Sequence, residues 1–152
     1  MTHHRRRNNG IDPSKINETV ELSPAQRYAA FKQTQAKQRT VAAEFARSMP
    51  FELDEFQMQA NDALEAGDNV LVAAPTGAGK TVAADFAIYL AQTRNVKAFY
   101  TTPIKALSNQ KYHDLVDQYG TDKVGLLTGD TSINSEADIV VMTTEVLRNM
   151  LY

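Results

Sequence analysis

The run Ala74-Pro75-Thr76-Gly77-Ala78-Gly79-Lys80-Thr81 puts two glycines, a cation and hydroxyl groups into one short stretch. Those residue types suit a phosphate chain. Glycines carry no Cβ, so a loop can curl until its backbone N–H groups point at phosphate oxygens. Lys80 can set a point charge against the β- and γ-phosphates of a nucleotide, and the Thr81 hydroxyl can ligate the accompanying Mg²⁺. A helix opening here would aim its unpaired N–H groups and the positive end of its dipole at the same anion.

Such a loop needs a strand before it and a helix after it. Asn69-Val70-Leu71-Val72-Ala73 is short and valine-rich and reads as a buried strand. Beyond the loop, Val82, Ala83, Phe86, Ala87 and Leu90 recur at helical spacing. Strand, glycine loop and helix together are the context of a P-loop. The bland alternative is a glycine loop that merely turns between two elements. One departure stands out: the pattern usually opens on Gly, and here it opens on Ala74.

The remaining elements follow from local signals. Ser23-Pro24 is a helix start, with Ser at the N-cap and Pro at the first helical position. Good helix formers then run to about Ser48, with a partial apolar stripe of Tyr28, Phe31, Val41, Phe45 and Met49. Met49-Pro50 breaks that helix. Asp54 is an N-cap for a second helix to Ala66, and Gly67-Asp68 ends it. After the P-loop helix, Asn95 is a stop, residues 97–102 are a strand, and Pro103 closes it. A helix to Tyr119 follows, capped by Gly120. Residues 123–127 and 137–142 are two further strands, separated by a turn at Thr128-Gly129-Asp130, and Thr143 opens a last helix.

Strands alternating with helices imply βαβ units and a parallel sheet, so the fold class is α/β. Ligands of such sheets sit outside the carboxyl ends of the strands. The polar groups of the P-loop, of Thr101–Lys105, of Thr128–Asp130 and of Thr143–Glu145 each follow a strand, so they should share one face. The organisation expected is a disordered basic leader over 1–22, a helical extension over 23–49, and the α/β domain over 50–152.

Bulk composition is that of a globular protein, with 43% hydrophobic and 22% charged residues in 152. No run of ~18 apolar residues is present, so no membrane span is expected. Arg5-Arg6-Arg7 is followed by no apolar stretch, so it is no secretory signal. There are no cysteines, which excludes disulfides and thiolate metal sites and fits a cytoplasmic setting. His3 and His4 are too weak a pair to argue a metal site. Residues 1–50 carry nine Lys and Arg against four Asp and Glu, while residues 51–152 carry seven against fourteen. The basic half could meet nucleic-acid phosphates, or be a solvated tail.

From Phe51 onward the chain resembles the first RecA-like domain of superfamily 2 helicases, most closely the Ski2-like DExH RNA helicases of bacteria. The Ala-first P-loop is one form that superfamily uses. Phe51-Glu52-Leu53-Asp54-Glu55-Phe56-Gln57 is similar to the family's adenine-recognition segment. The resemblance implies that the Gln57 amide pairs with adenine, giving ATP over GTP, and that Phe51 stacks on the base. Read without it, Phe51 and Phe56 are core and Gln57 is surface. Thr102-Pro103-Ile104-Lys105-Ala106-Leu107-Ser108-Asn109-Gln110-Lys111 resembles the family's motif Ia, with Lys105, Ser108 and Asn109 suited to a sugar-phosphate backbone. Leu127-Thr128-Gly129-Asp130 and Thr143-Thr144-Glu145-Val146-Leu147-Arg148 resemble two more backbone-gripping segments, with Glu145 and Arg148 fixing loops. The blander readings are ordinary turns and a favourable acid in a first helical turn.

The resemblance thus implies an ATP- and Mg²⁺-dependent helicase acting on single-stranded nucleic acid, RNA by preference. The family's next motif, an Asp-Glu-x-His box that positions metal and water, is not in this sequence, nor is a second RecA-like domain. Phosphoryl transfer needs those parts together. The expectation is therefore a truncated domain that is poorly folded and inactive alone. The alternatives are a non-hydrolysing nucleotide- or RNA-binding module, or a P-loop ATPase acting on DNA.

Overall fold

The computed structural model describes residues 22–75, 77 and 79–152. Residues 1–21 of the basic leader, with His3 and His4, and Thr76 and Ala78 of the glycine loop lie outside the described residues. The chain divides into two units, one ending at Lys37 and the other running from Gln38 to Tyr152.

Helix α1 (Pro24–Gln38) opens as its sequence implies: Ser23 Oγ accepts from Gln26 N at 3.3 Å, and Gln26 Oε1 returns a bond to Ser23 N at 2.8 Å. This capping box satisfies two orphan N–H groups at once. No residue of α1 is buried.

The single helix expected to Ser48 is instead two. A second helix, α2 (Val41–Ser48), starts afresh at Thr40, whose hydroxyl accepts from Ala43 N at 3.2 Å. The Glu65 carboxylate takes the next two donors, Val41 N at 3.0 Å and Ala42 N at 2.8 Å. Those N–H groups would have been spent inside a continuous helix. Here a hydroxyl and a carboxylate hold them, which suits the positive end of the helix. α2 then buries Ala42 and Phe45 against Val82, Phe86 and Leu90 of α4 (Thr81–Thr93), with Phe45 and Phe86 edge-to-face at 5.3 Å between centroids.

Between them lies α3 (Glu55–Ala66), closed by Gly67 in the left-handed conformation at φ 93°. Asn61 on this helix is 1% exposed, yet neither its Oδ1 nor its Nδ2 has a hydrogen-bond partner within the protein. An orphaned buried amide costs about 1–3 kcal/mol in desolvation. Asn61→Leu, with the same branched heavy-atom skeleton and no polar atoms, is therefore expected to stabilise the chain by about 1 kcal/mol. Urea unfolding followed by circular dichroism reads this as a higher midpoint; a lower midpoint would mean the amide is satisfied.

The sheet has order β1-β4-β2-β3, made of β1 (Ala98–Thr102), β2 (Val124–Leu127), β3 (Ser132–Ile133) and β4 (Ile139–Thr143). β4 runs parallel to β1, with Ala98 opposite Ile139 and Thr102 opposite Thr143, and parallel to β2, with Val124 opposite Ile139. β3 is an antiparallel addition that strand patterning did not reveal. Helix α5 (Lys105–Tyr119) connects β1 to β2, and α6 (Thr144–Leu151) follows β4. The two-residue period of β4 decides the layers. Ile139 and Val141 pack with Ile88 and Leu115 of the helices on one face, while Val140 and Met142 pack with Val146 and Leu147 of α6 on the other.

The strand expected at Asn69–Ala73 does not form. These residues carry no strand pairing, and Leu71 is 94% exposed. A strand needs a ladder partner as well as a valine-rich sequence, and among the described residues none lies beside this one. The segment instead walls a groove of about 560 Å³ against Phe56, Ala60 and Ala63 of α3. The outer edge of β1 is likewise unpaired among the described residues, and faces Ala84, Ala87 and Ala91 of α4 across a second groove.

Candidate nucleotide and nucleic-acid site

The glycine loop before α4 is built by its glycines and by one glutamine. Gly77 and Gly79 sit at φ 84° and 72°, a region that side-chain-bearing residues rarely enter. Gly79 carries a second constraint: a Cβ there would lie 2.5 Å from Gln57 Nε2. Gln57 is 4% exposed, and its amide is used at both ends. Its Oε1 accepts from Asp54 N at 2.8 Å, completing the α3 cap, and its Nε2 donates to the Gly79 carbonyl at 3.0 Å. Gln57 is thus a tie from α3 to the glycine loop, with one further donor and one lone pair left over. Phe51 is exposed and borders a groove with Met49, Pro50 and Met58.

Lys80 and Thr81 are exposed at the start of α4. The Lys80 ammonium donates to the Ala74 carbonyl at 2.7 Å, folding back over its own loop, and Pro75 is exposed beside it. No cluster of three acidic or histidine side chains able to hold a metal exists among the described residues. A lone exposed hydroxyl suits Mg²⁺ that arrives on nucleotide phosphates and keeps most of its water, rather than one held in a protein cage. On that test Thr81 fits the ion.

The second half of the site lies where β1, β2 and β4 end. Thr102, Thr128 and Thr143 stand at or next to those three carboxyl ends, and side chains bind the loops together. Thr144 Oγ1 donates to the Thr102 carbonyl at 3.1 Å, joining the end of β4 to the end of β1. Thr102 Oγ1 lies 2.6 Å from Ser108 Oγ and 2.9 Å from the Ile104 carbonyl, holding the turn into α5. Ser108 is fully buried, so its hydroxyl shapes this turn and is shielded from the surface. Lys105 opens α5 and pairs with Asp130 at 2.6 Å, joining the β1 end to the β2 end. Asp130 also accepts from Thr128 Oγ1 at 3.0 Å. The Lys105 bond, then the Thr128 bond, holds the Asp130 carboxyl below its ordinary range. Pro103, Gly129, Thr144 and Glu145 are exposed on this rim, and Asn109 is half-buried behind it.

Residues from both halves, Thr81 with Thr102 and Pro103, line one groove of about 560 Å³. Its wall includes an ion pair that sequence reasoning missed, Lys111 to Asp85 at 2.6 Å, with Lys111 also 5.2 Å from the Tyr100 ring centroid. Asp85 and Lys111 come from different helices far apart in the chain, and neither helix marks its partner in sequence.

A family profile described as DEAD/DEAH box helicase matches residues 54–152. The chain belongs to the DEAD/DEAH box helicase family. Within the family its similarity is to the Ski2-like DExH type. It is 63% identical over 108 residues to a probable helicase HelY of Mycobacterium tuberculosis, covering 71% of this chain and 12% of that protein. It is 55% identical over 107 residues to the antiviral helicase SKI2 of Saccharomyces cerevisiae, covering 70% and 8%. The chain therefore spans about a tenth of the length of these relatives. Among solved structures, a hypothetical ATP-dependent RNA helicase from Sulfolobus tokodaii is similar, at 28% identity and a TM-score of 0.54, covering 73% of this chain and 35% of that one. The helicase fold explains the arrangement just described: a mostly parallel sheet with flanking helices whose strand ends carry the polar loops. No helix among the described residues of this DEAD/DEAH box chain is long and apolar enough to cross a membrane.

Proposed function

We propose that this chain is the nucleotide- and nucleic-acid-gripping part of a first RecA-like domain in a cytoplasmic ATP-dependent RNA helicase of the Ski2-like DExH type. The observation that carries the reading is the pairing of two sites on one scaffold: a glycine loop closed by Lys80, and a rim of linked strand ends reaching the same groove as Thr81. In this reading Ala74, Pro75, Thr76, Gly77, Ala78, Gly79, Lys80 and Thr81 cradle ATP. Mg²⁺ bound at Thr81 would neutralise phosphate charge. Lys105, Asn109, Thr128, Gly129, Thr143 and Thr144 meet the backbone of single-stranded RNA on a rim that also carries Asp130, and Thr102, Pro103, Ser108 and Glu145 hold the loops that present it. Hydrolysis and strand separation belong to a longer protein that supplies the acidic box and a second RecA-like domain. The small share of the HelY and SKI2 lengths that this chain spans supports that view.

Adenine selection is assigned to Gln57 and Phe51. Calorimetric titration with Mg²⁺–ATP and Mg²⁺–GTP tests it. The wild-type chain should prefer ATP by roughly tenfold or more, the scale set by one bidentate polar recognition. Gln57→Ala loosens the Gly79 tie and so weakens both nucleotides. The adenine role is read from the ratio alone, which should fall to near one. A ratio unchanged in Gln57→Ala would leave Gln57 as a loop tie only.

A further inference from the structure

Lys105 is an exposed cation on the rim, yet in this structure its ammonium is already engaged. Three donors converge on one carboxylate: Lys105 Nζ at 2.6 Å from Asp130 Oδ2, with Thr128 Oγ1 at 3.0 Å and Thr131 Oγ1 at 3.4 Å from Oδ1. The Thr128 N–H is not part of the set, because it donates to the Thr131 carbonyl at 2.9 Å and closes the turn. An ammonium and two hydroxyls around a two-oxygen anion form a donor set that a phosphate diester could equally well take. Asp130 lies outside the sheet on an exposed turn, and the side chains of Lys105 and Asp130 are 48% and 67% exposed. A ligand can therefore reach the pair, and the carboxylate can swing away without unfolding any element.

We propose that Asp130 is a built-in competitor for the nucleic-acid phosphate: it occupies the Lys105 and Thr128 donors in the free chain, and the backbone of a bound strand must displace it. The inference rests on the reading of this rim as a nucleic-acid interface and adds a regulating residue to it. The consequence is a weakened, more selective grip. A phosphate arriving alone exchanges one anion for another at Lys105, so little is gained. A strand that also reaches the exposed ends at Thr144 and Gly129 gains further contacts that Asp130 cannot match.

The test is fluorescence anisotropy with a labelled oligouridylate of about a dozen nucleotides, on the whole chain, at several salt concentrations. Four proteins are compared: wild type, Asp130→Asn, Lys105→Met, and the double variant, with Asp130→Ser as a second form of the first change. Circular dichroism melting checks each fold. Asp130→Asn and Asp130→Ser should bind about two- to fivefold tighter than wild type, the scale of releasing one exposed ion pair. Lys105→Met should bind more weakly, with a salt slope smaller by about 0.7. In the Lys105→Met background, Asp130→Asn should give no gain, because no cation remains to release. A merely structural Asp130 would weaken binding when replaced and leave this non-additivity absent. Unchanged or weaker binding by both Asp130 variants overturns the proposal while leaving the interface standing, provided that Lys105→Met lowers affinity. An equal gain with and without Lys105 overturns it in favour of general charge repulsion. Binding by none of the proteins, even at low salt, overturns the interface reading and the proposal with it.

Discussion

Replacing Lys80 by alanine is expected to weaken Mg²⁺–ATP binding by roughly tenfold to a hundredfold, with the fold intact. The size follows from what the side chain offers. Its ammonium is exposed and rests on the Ala74 carbonyl at 2.7 Å, a neutral acceptor within its own loop. Nucleotide phosphates would replace that partner with a charged one, and hydrogen bonds between ionised groups are about twice as strong as neutral ones. A charge-assisted bond is worth about 1.5–3 kcal/mol net, which is the stated range in affinity. Nothing comparable is lost on the stability side, because water can serve the Ala74 carbonyl when the ammonium is gone; the thermal midpoint should stay within the scatter of surface substitutions. Calorimetry on the wild-type chain and Lys80→Ala checks both claims. Equal affinities would remove the phosphate cradle from the function proposed here. Binding by neither would mean that the loop needs the strand partner that Asn69–Ala73 lacks among the described residues, and that ATP binding belongs to a longer protein.

The contrast between the loop and the segment before it shows what a sequence can carry. Gly77 and Gly79 were legible because their reason is local: each residue needs a backbone conformation that only glycine adopts freely. The helices α3, α4 and α5 were legible for the same reason, through Asp54, the apolar spacing from Val82 to Leu90, and Gly120. The strand at Asn69–Ala73 was read from equally local evidence and did not form, since pairing is a property of two segments. The break at Thr40 is not legible, because strong helix propensity on both sides reads as one continuous helix. Glu65, which accepts from Val41 N and Ala42 N, lies out of reach of local signals, because those contacts join residues more than twenty positions apart.

The site divides in the same way. Residue types near strand ends pointed to the rim, and the structure places those residues on loops that bond to one another. Which of them faces outward was not legible. Ser108 sits in a polar run on α5 and reads as surface, yet Thr102 draws it fully inside. Asp130 reads as a turn former, and only its approach to Lys105, across 25 residues, turns it into a partner for a cation. Gln57 reads as a base-pairing amide, and the 22-residue jump to Gly79 makes it a strut as well.

Gly125 gave no signal at all, and its substitution by alanine should have the largest effect on stability, about 3 kcal/mol or more. It lies buried in the middle of β2, opposite Val140 of β4. An added Cβ would collide with the Asn134 carbonyl oxygen and stand 2.9 Å from both the Asn134 carbonyl carbon and the Ile133 carbonyl oxygen. All three are backbone atoms, so no side chain can rotate away. The backbone there is also pinned. Asn134 holds φ at 43°, its Nδ2 donates to the Asp122 carbonyl at 3.2 Å, and its own carbonyl accepts from Ala137 N at 3.1 Å. Relief therefore requires moving β3 off β2 or β2 off β4, and either displaces the Val124 and Leu126 side chains from the core they share with Leu115 and Ile139. Because Thr128 and Asp130 hang from the end of β2, nucleic-acid binding should fall together with stability. Gly129→Ala is the matched control: it stands on the same hairpin with no atom within 4 Å of its added Cβ, and should shift stability by no more than about 0.5 kcal/mol. Urea unfolding of the two variants decides the matter. Similar midpoints for both would mean that β3 yields easily and that the close approach over Gly125 is not what holds the hairpin against the sheet.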